Sequence, residues 1–435
     1  MKLTRVFAFM ALAGLTGSAF ATNGYFSHGY GMKAKGMAGV STTSTEDAFA
    51  GANNPAAMAF AGNRFDLGVD LFSPQREASR TGSTGMPNAF PPIDGSSESD
   101  SNYFLVPELG YTHQVSSTLA AGVTVYGNGG MNTDYPAFTN NCGSSNLLCG
   151  QGDLGVDLIQ LIVAPTVAYK FAPNHSIGVS PLLGYQSFEA RGLHAFEGIT
   201  SSPGDVTNNG HDDAFGFGVR IGYLGKLTPT VTIGAAYASK MDFQEFDKYK
   251  GLFAEQGDFD IPENYNLGVS WQATQQIRLA VDYQRINYSD VAAVANPSGP
   301  AAFACFAGKM GMPGADTTQC LGTNGGSGFG WQDIDVWKIG VEHKLSPNFT
   351  LRAGYSHTDQ PIPTADVEFN ILAPAVIEDH VTVGFTYTLA TGNELTMAYM
   401  HGFSNDVTGP SLFFGGQDKI EMYQDSLGIQ YSWKM

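Results

Sequence analysis

The chain has 435 residues, and its 40 acidic and 22 basic side chains give a formal net charge of −18. This acidic balance argues against nucleic acid as a partner, because a surface that binds nucleic acid needs clustered Lys and Arg. Only 14% of the residues are charged, whereas 12% are aromatic and 54 are glycines. Such a composition is typical of a protein whose two faces meet different solvents, and an acidic soluble secreted protein is the alternative.

The N-terminus has the three parts of a secretory signal peptide over residues 1–21. Lys2 and Arg5 are followed by an apolar run over 6–15 and by an A-x-A cleavage pattern at 19–21. The apolar run is too short for a membrane-spanning helix, which needs about 20 residues. We therefore expect an exported chain, and removal of the two basic residues takes its net charge to −20.

Residues 22–63 form a segment rich in glycine and small side chains that lacks the alternation found downstream. Ser44 or Thr45 can cap a short helix over Glu46–Ala50, because acidic residues suit the first turn of a helix. Pro55 is expected to end that helix. A unit of about forty residues is too small to bury a core of its own. The sequence therefore predicts either a disordered tail or a plug that packs inside the rest of the chain.

Residues 64–435 alternate between apolar and polar side chains over segments of about ten residues, the length of a tilted transmembrane strand. In one such segment Val231, Ile233, Ala235 and Tyr237 share one face of the strand. About fourteen segments of this kind follow one another, which predicts an all-β transmembrane barrel with an even number of antiparallel strands. The last strand must pair with the first, because an open sheet edge in lipid leaves backbone groups unpaired.

The connections between these segments also alternate. Six tight turns, such as 115–118, alternate with seven long connections, such as 73–102. Short and long connections are not expected to alternate in a soluble β-sandwich. An outer-membrane barrel, by contrast, has short periplasmic turns and long extracellular loops. The long connections 289–331 and 359–378 carry apolar residues, which mark either loop packing or an uptake surface for hydrophobic molecules.

Four cysteines form two local pairs, Cys142 with Cys149 and Cys305 with Cys320. In an oxidising compartment these pairs predict two loop disulfides. A zinc site is the alternative, but metal spacings are usually tighter and no histidine lies close in sequence to either pair. We therefore expect no metal and no cofactor.

The polar face of the predicted strands carries a few charges, among them Arg220, Lys240, Arg278 and Arg352. Buried charges of this kind most often pair with one another, or here with the plug, as structural ions. Alternatively, these four cations bind the carboxylate head group of a substrate. The residues alone leave both interpretations open.

Breaks in the strand pattern indicate irregular stretches of the wall. Proline removes a ladder hydrogen bond and indicates a bulge or kink, and three prolines lie inside predicted strands: Pro107, Pro165 and Pro181. The third strand also contains the run Gly-Asn-Gly-Gly at 127–130, which is too flexible for a regular ladder. These features predict either tolerated bulges or a gap through which an apolar solute leaves sideways.

The motif Asn54-Pro55-Ala56 lies after the predicted signal peptide. In this position it resembles the hatch of the FadL/TodX family of outer-membrane transporters for hydrophobic compounds. Three other N-terminal segments share the resemblance: Asn23–Phe26, Gly36–Val40 and Glu46–Ala48. The last strand, Ser426–Trp433, resembles the assembly signal of bacterial outer-membrane barrels, which implies the barrel assembly machinery as a partner.

The resemblance implies that residues 22–63 are a hatch that plugs the barrel and that the motif faces a kinked third strand. Substrate then leaves through an opening in the wall, which is expected near Gly122, Gly127, Gly129 and Gly130. Family members carry long-chain fatty acids or aromatic hydrocarbons. The implied function is passive uptake of fatty acids or related lipophilic molecules by a monomer in outer-membrane lipid, with uptake of aromatic hydrocarbons as the alternative.

An enzyme is disfavoured because the sequence contains no G-x-S-x-G, H-E-x-x-H or Walker motif, so no catalytic residues are expected. A general porin needs an open lumen, which the N-terminal plug would block. An adhesin would depend on the loops alone and is compatible with the sequence.

Overall fold

The structure is a computed structural model that describes residues 23–86, 90–312 and 316–435. The predicted signal peptide at 1–21 lies outside the described residues.

In the described residues, fourteen long antiparallel strands close into a barrel. Closure is made by the first and last strands, whose register runs from Arg64 opposite Lys434 to Thr81 opposite Gln417. The predicted barrel of about fourteen strands is therefore confirmed. Its strands are β1 Arg64–Thr81, β2 Phe104–Gln114, β3 Leu119–Tyr135, β4 Leu154–Ala172, β5 His175–Arg191, β6 Asp212–Lys226, β7 Val231–Ala238, β8 Asn264–Gln272, β9 Ile277–Ile286, β10 Ile334–Ser346, β11 Phe349–Thr358, β12 Asp379–Thr388, β13 Glu394–Pro410 and β14 Gln417–Lys434.

The two faces of the strands differ as the alternation predicts. In β1, Asp66 and Asp70 are buried, whereas Val69 and Leu71 are 36% and 40% exposed. In a membrane barrel the exposed apolar face meets lipid and the polar face meets the lumen.

Several strands are longer than the ten residues that cross a membrane. β1 and β14 each have 18 residues and β4 has 19, so the loop predicted at 73–102 begins only after residue 81. The outward positions of this extension, Gln75, Glu77 and Ser79, are polar. These positions lie beyond the lipid, so the apolar alternation that marks a transmembrane strand is lost there although the ladder continues.

Residues 23–63 lie inside the barrel and are almost entirely buried. This segment, the hatch, contains two short helices, α1 Met32–Lys35 and α2 Met58–Ala61, and two 3-10 turns, Phe49–Gly51 and Pro55–Ala57. Most of its backbone is irregular, and several of its backbone N–H groups donate to side chains on the inward face of the barrel.

The prediction of a helix that starts at Glu46 is wrong. The chain forms only the 3-10 turn at Phe49–Gly51 there, because Ala48 N donates to the wall residue Asp66 at 2.6 Å rather than within a helix. Pro55 begins a 3-10 turn instead of ending a helix. Packing against the barrel therefore overrides the local capping signal.

The remaining short elements lie in the loops. Four are helices: α3 Ala254–Gly257, α4 Ala292–Ala295, α5 Gly299–Lys309 and α6 Val367–Asn370. Four are strands: Gly95–Glu98, Phe138–Asn140, Gly143–Ser145 and Asp242–Phe243. Five are 3-10 turns: His194–Ile199, Asp247–Tyr249, Tyr288–Asp290, Thr317–Gln319 and Thr364–Asp366. Among the described helices, none has both the length and the apolar character needed to cross a bilayer.

The extracellular loops pack into one apolar core that fills the outer end of the barrel. In the loop between β11 and β12, Ile371 and Val376 are fully buried, so the apolar residues of this loop serve packing. In the loop between β9 and β10, by contrast, Phe303, Met310 and Met312 are 39%, 66% and 48% exposed. This second loop presents an apolar patch to the outside.

Candidate functional site

Two lysines of α1 anchor the hatch to the wall. Lys33 Nζ lies 2.7 Å from Glu394 on β13, and Lys35 Nζ lies 2.7 Å from Asp70 on β1. Asp70 also accepts a hydrogen bond from Ser426 Oγ at 2.6 Å. All four charged side chains are at least nine-tenths buried, so each depends on its partner for solvation.

A second charged cluster joins the middle of the hatch to β9, β10 and β11. Arg352 Nη2 lies 3.0 Å from Glu46 and 2.7 Å from Glu342, and Arg278 Nη2 lies 3.5 Å and 3.3 Å from the same two carboxylates. Burial opposes ionisation of Glu46, but Arg278 and Arg352, with Lys33 nearby, hold the pKa of its carboxyl well below the ordinary value. The cluster therefore stays charged, and its two arginines act as structural ions.

The wall also binds the hatch backbone directly. Asp282 on β9 accepts hydrogen bonds from the backbone N–H groups of Ser41 and Thr42, both at 2.8 Å, and from Thr42 Oγ1 at 2.8 Å. Three donors on one carboxylate fix the position of the hatch at Ser41 and Thr42.

The Asn54-Pro55-Ala56 motif is a capped turn that is bonded to both hatch and wall. Asn54 Oδ1 accepts from Ala56 N at 3.1 Å, while Asn54 Nδ2 donates to Thr42 O at 2.8 Å and to Tyr223 O at 2.9 Å. Ser176 Oγ donates to Ala56 O at 2.8 Å. One amide side chain thus closes the turn and ties it to β6.

The motif lies against β5 and β6, so the implied placement opposite the third strand is wrong for this chain. A Cβ atom at Gly178 would lie 2.4 Å from the carbonyl carbon of Pro55, and one at Gly222 would lie 2.0 Å from Asn54 Oδ1. The two glycines allow an approach that any side chain would block. The third strand contacts other parts of the hatch; at Gly122, for example, a Cβ would lie 2.9 Å from Met58 Cε.

We expect the Asn54→Ala substitution to loosen the hatch and leave the barrel folded. It removes a cap acceptor, worth about 1 kcal/mol, and two donated hydrogen bonds, each worth about 1 kcal/mol. Asn54→Ser is the matched control, because serine keeps a good cap acceptor but loses both donors. Limited proteolysis of the hatch should be slowest for the parent, faster for N54S and fastest for N54A. Equal rates in all three would contradict this role of Asn54.

The barrel wall is interrupted between β2 and β3. These strands pair only over 109–114 and 120–125. Further towards the extracellular side, residues 104–108 of β2 pair with β1 and residues 126–131 of β3 pair with β4, and no pairing joins the two stretches in the described structure. We call this unpaired stretch the seam.

A bulge bends β3 at the seam. Gly127 lies opposite Leu161 and Gly129 lies opposite Gln160, which leaves Asn128 as an extra residue in the ladder with β4. A bulge bends its strand and increases the local twist. The bend carries β3 away from β2, which accounts for the loss of pairing.

The N-terminal end of the hatch covers the seam from the inside. Ser27 N donates to Asn128 O at 2.9 Å, and Gly130 N donates to Tyr25 O at 3.2 Å. A Cβ at Gly129 would lie 1.7 Å from Tyr25 O, so glycine is required for this approach. The hatch replaces β2 as the backbone partner of β3. Of the four glycines expected at the opening, Gly127, Gly129 and Gly130 therefore lie at the seam, and Gly122 lies below it.

The hatch residues around Tyr25 that cover the seam pack against an extracellular loop. Tyr25 N donates to the hydroxyl of Tyr288 at 3.2 Å, and that hydroxyl donates to Asn23 O at 2.6 Å. The ring of Tyr25 lies 5.8 Å from that of Trp331, between centroids. Because Tyr288 and Trp331 belong to the loop between β9 and β10, movement of this loop can be passed to the seam.

The four predicted head-group cations all have partners. Arg220 donates to backbone carbonyls of the hatch, and Arg278 and Arg352 belong to the cluster around Glu46. Lys240, in the loop after β7, lies 2.6 Å from Asp260, and its side chain remains 40% exposed. Of these four, only Lys240 is accessible to a ligand.

The cysteines form the two predicted disulfides, Cys142–Cys149 and Cys305–Cys320, both in extracellular loops. The second links α5 to the segment after it and anchors the loop that carries the exposed apolar patch. Within the described part of the chain, no group of three His, Cys, Asp or Glu side chains could hold a metal ion.

A family described as "Outer membrane protein transport protein (OMPP1/FadL/TodX)" matches residues 9–411. The chain belongs to this family. The family, which the motif around Asn54 predicted, is one of outer-membrane transporters for hydrophobic compounds and not of enzymes. No curated protein matches the chain.

Solved structures of FadL/TodX barrels share the fold. The P. putida toluene transporter TodX is 20% identical, with a TM-score of 0.67, over 94% of this chain and 99% of that one. A Pseudomonas aeruginosa FadL homologue is 16% identical, with a TM-score of 0.68, over 94% and 99%. The Ralstonia pickettii toluene transporter TbuX is 18% identical, with a TM-score of 0.61, over the same shares. At these identities the similarity shows the fold alone.

Proposed function

We propose that this FadL/TodX protein takes up hydrophobic compounds by passive diffusion and releases them sideways through the seam between β2 and β3. The observation that carries the proposal is the stretch of wall that is unpaired in the described structure and that the residues around Tyr25 cover from inside the lumen. A straight path to the periplasm is blocked by the hatch, which is held by buried ion pairs. Displacement of the few residues around Tyr25 that cover the seam requires far less free energy than displacement of the whole hatch.

The exposed apolar patch of Phe303, Met310 and Met312 is the proposed point of capture. Apolar solutes partition onto exposed hydrophobic patches of this kind. From the patch, the loop between β9 and β10 leads inward to Tyr288 and Trp331, which pack on Tyr25. Binding at the loop and opening of the seam are therefore connected by direct contacts.

For the substrate class we propose uncharged aromatic hydrocarbons first. Arg220, Arg278 and Arg352 are engaged by the hatch or by carboxylates, so binding a fatty-acid head group there would break buried ion pairs or hydrogen bonds. Two of the similar solved structures are toluene transporters. Fatty acids are the second candidate, because Lys240 is accessible and could exchange Asp260 for a substrate carboxylate.

The test is uptake of radiolabelled toluene and oleate by cells that produce the protein, compared with cells that lack it. We expect toluene uptake above the background and unchanged by Lys240→Gln. Lys250→Gln, which also removes an exposed loop lysine that pairs with an aspartate, is the matched control. Oleate uptake that K240Q abolishes and K250Q leaves intact would make fatty acids the substrate. Background uptake of both compounds, with liposomes that swell in small sugars, would make the protein a porin.

A further inference from the structure

A small polar cavity lies inside the barrel between the hatch and the wall. Its volume is about 20 Å³, which is enough for one water-sized species and too small for a carboxylate head group with its chain. Hatch residues form one side of the cavity. Wall side chains from β6, β8, β9 and β10 form the other side: Arg220, Asn264, Asn266, Gln284 and Lys338.

Two cations line this cavity without a counter-ion. Arg220 and Lys338 are the two charged side chains of its lining, and they are only 4% and 6% exposed. Arg220 donates to hatch carbonyls and to the hydroxyl of Tyr126, and Lys338 donates to His28 O and Gln284 Oε1. Neither cation forms an ion pair within the part of the chain that the structure describes. Because an arginine stays charged at any physiological pH, its burial calls for a negative charge nearby.

The carboxylate opposite Lys338 does not supply enough negative charge. Asp282 faces Lys338 across the ladder of β9 and β10, but its Oδ2 accepts the three hydrogen bonds from Ser41 and Thr42 of the hatch. Counting the charge of Asp282 against one of the two cations still leaves one positive charge at the cavity. One monovalent anion would neutralise it.

Several N–H donors at the cavity lack an acceptor. Arg220 Nε is buried and has no hydrogen-bond partner. The ammonium of Lys338 carries three protons, and two of them are used by His28 O and Gln284. The side-chain amides of Asn264 and Asn266 form no hydrogen bond with the described residues. A water molecule must donate as well as accept, whereas a halide only accepts, so a cavity with this surplus of donors favours a halide.

We propose that the cavity binds a single chloride ion between Arg220 and Lys338. Arg220 holds the hatch at Gly51 and Lys338 holds it at His28, so the anion stabilises two contacts between hatch and wall. Without the anion, two buried like charges repel each other and weaken both contacts. The chloride is a structural ligand of the hatch and is distinct from the transported solute.

The direct test is anomalous diffraction from crystals of the protein grown in sodium bromide, because bromide replaces chloride and has a measurable anomalous signal. We expect an anomalous peak inside the cavity, in contact with Arg220 Nε and Lys338 Nζ. Bromide bound at the protein surface with no peak in the cavity would overturn the proposal, since the occupant would then be water.

Thermal unfolding in detergent tests the same site in solution, with chloride replaced by the much larger gluconate at constant ionic strength. A ligand that binds only the folded state raises its stability with the logarithm of ligand concentration, so we expect the unfolding temperature to rise with chloride. Lys338→Met should abolish this dependence. Lys344→Met, which removes an exposed lysine of the same strand, is the matched control and should keep it. An equal chloride dependence in the two variants, or none in the parent, would overturn the proposal whatever the result for solute uptake.

Discussion

Deletion of Asn128 is expected to reduce uptake of the hydrophobic substrate to the level of cells that lack the protein. Asn128 is the extra residue of the β3 bulge, and its removal places Gly127 and Gly129 on consecutive partners, Leu161 and Gln160. The residues of β3 on the extracellular side of the bulge then keep pointing to the same side of the wall. This holds because, in both of these pairs, the residue of β3 and its partner on β4 already point to the same side. A straight β3 can then pair with β2 along the seam, and ladder hydrogen bonds close the lateral path.

The matched control for this deletion is removal of Leu345, which is the unpaired residue of a bulge near the periplasmic end of β10. This bulge is remote from the seam, so its loss should leave uptake near the parent rate. Both variants should migrate as folded barrels in unheated gels. A folded variant without Asn128 that takes up substrate at the parent rate would show that the seam is not the exit.

Replacement of Lys35 by Met is expected to undock the hatch and make the barrel leak small solutes. The substitution leaves Asp70 without its partner at 2.7 Å, and Glu108 loses the nearby ammonium at 4.0 Å. Breaking a buried ion pair in this way costs about 3–5 kcal/mol, because a carboxylate remains uncompensated. Thermal unfolding and conductance in planar bilayers measure the two consequences.

Two further variants make the prediction for Lys35 specific. Adding Asp70→Asn to K35M removes the uncompensated charge and should restore most of the stability and the closed state. Lys344→Met replaces an exposed lysine of β10 and should change stability by no more than about 0.5 kcal/mol. If K35M were as stable to thermal unfolding as K344M and conducted no more current in planar bilayers, the anchoring role of the ion pair would be contradicted.

The strands were predictable because each face of the wall meets one solvent. Val231, Ile233, Ala235 and Tyr237 point outward on β7 as their spacing predicts. The part of β1 beyond the membrane was predicted as a loop, because its outward residues meet water and carry no apolar signal.

The site was predictable only in part. The glycine run at 127–130 predicted a break in the third strand, but not that Tyr25 of the hatch would replace the missing partner. Likewise, the sequence showed that charges line the lumen without showing that Glu46 would meet both Arg278 and Arg352. Such contacts depend on how an irregular segment of 41 residues, 23–63, folds against fourteen strands, and local periodicity carries no information about that.

The placement of the Asn54 motif illustrates the same limit. Its resemblance to a hatch identified the family, yet in this chain the motif packs on β5 and β6 at Gly178 and Gly222. Isolated glycines in strands mark close backbone approach, but the sequence does not name the segment that approaches.

The measurement that tests the account most directly is photo-crosslinking with a diazirine-substituted toluene, followed by mapping of the labelled residues by mass spectrometry. Lateral release predicts labels on 104–108 of β2 and 126–131 of β3, and loss of these labels when Asn128 is deleted. Labels on the periplasmic turns and on the periplasmic side of the hatch, with the seam unlabelled, would contradict it and would place the path straight through the barrel.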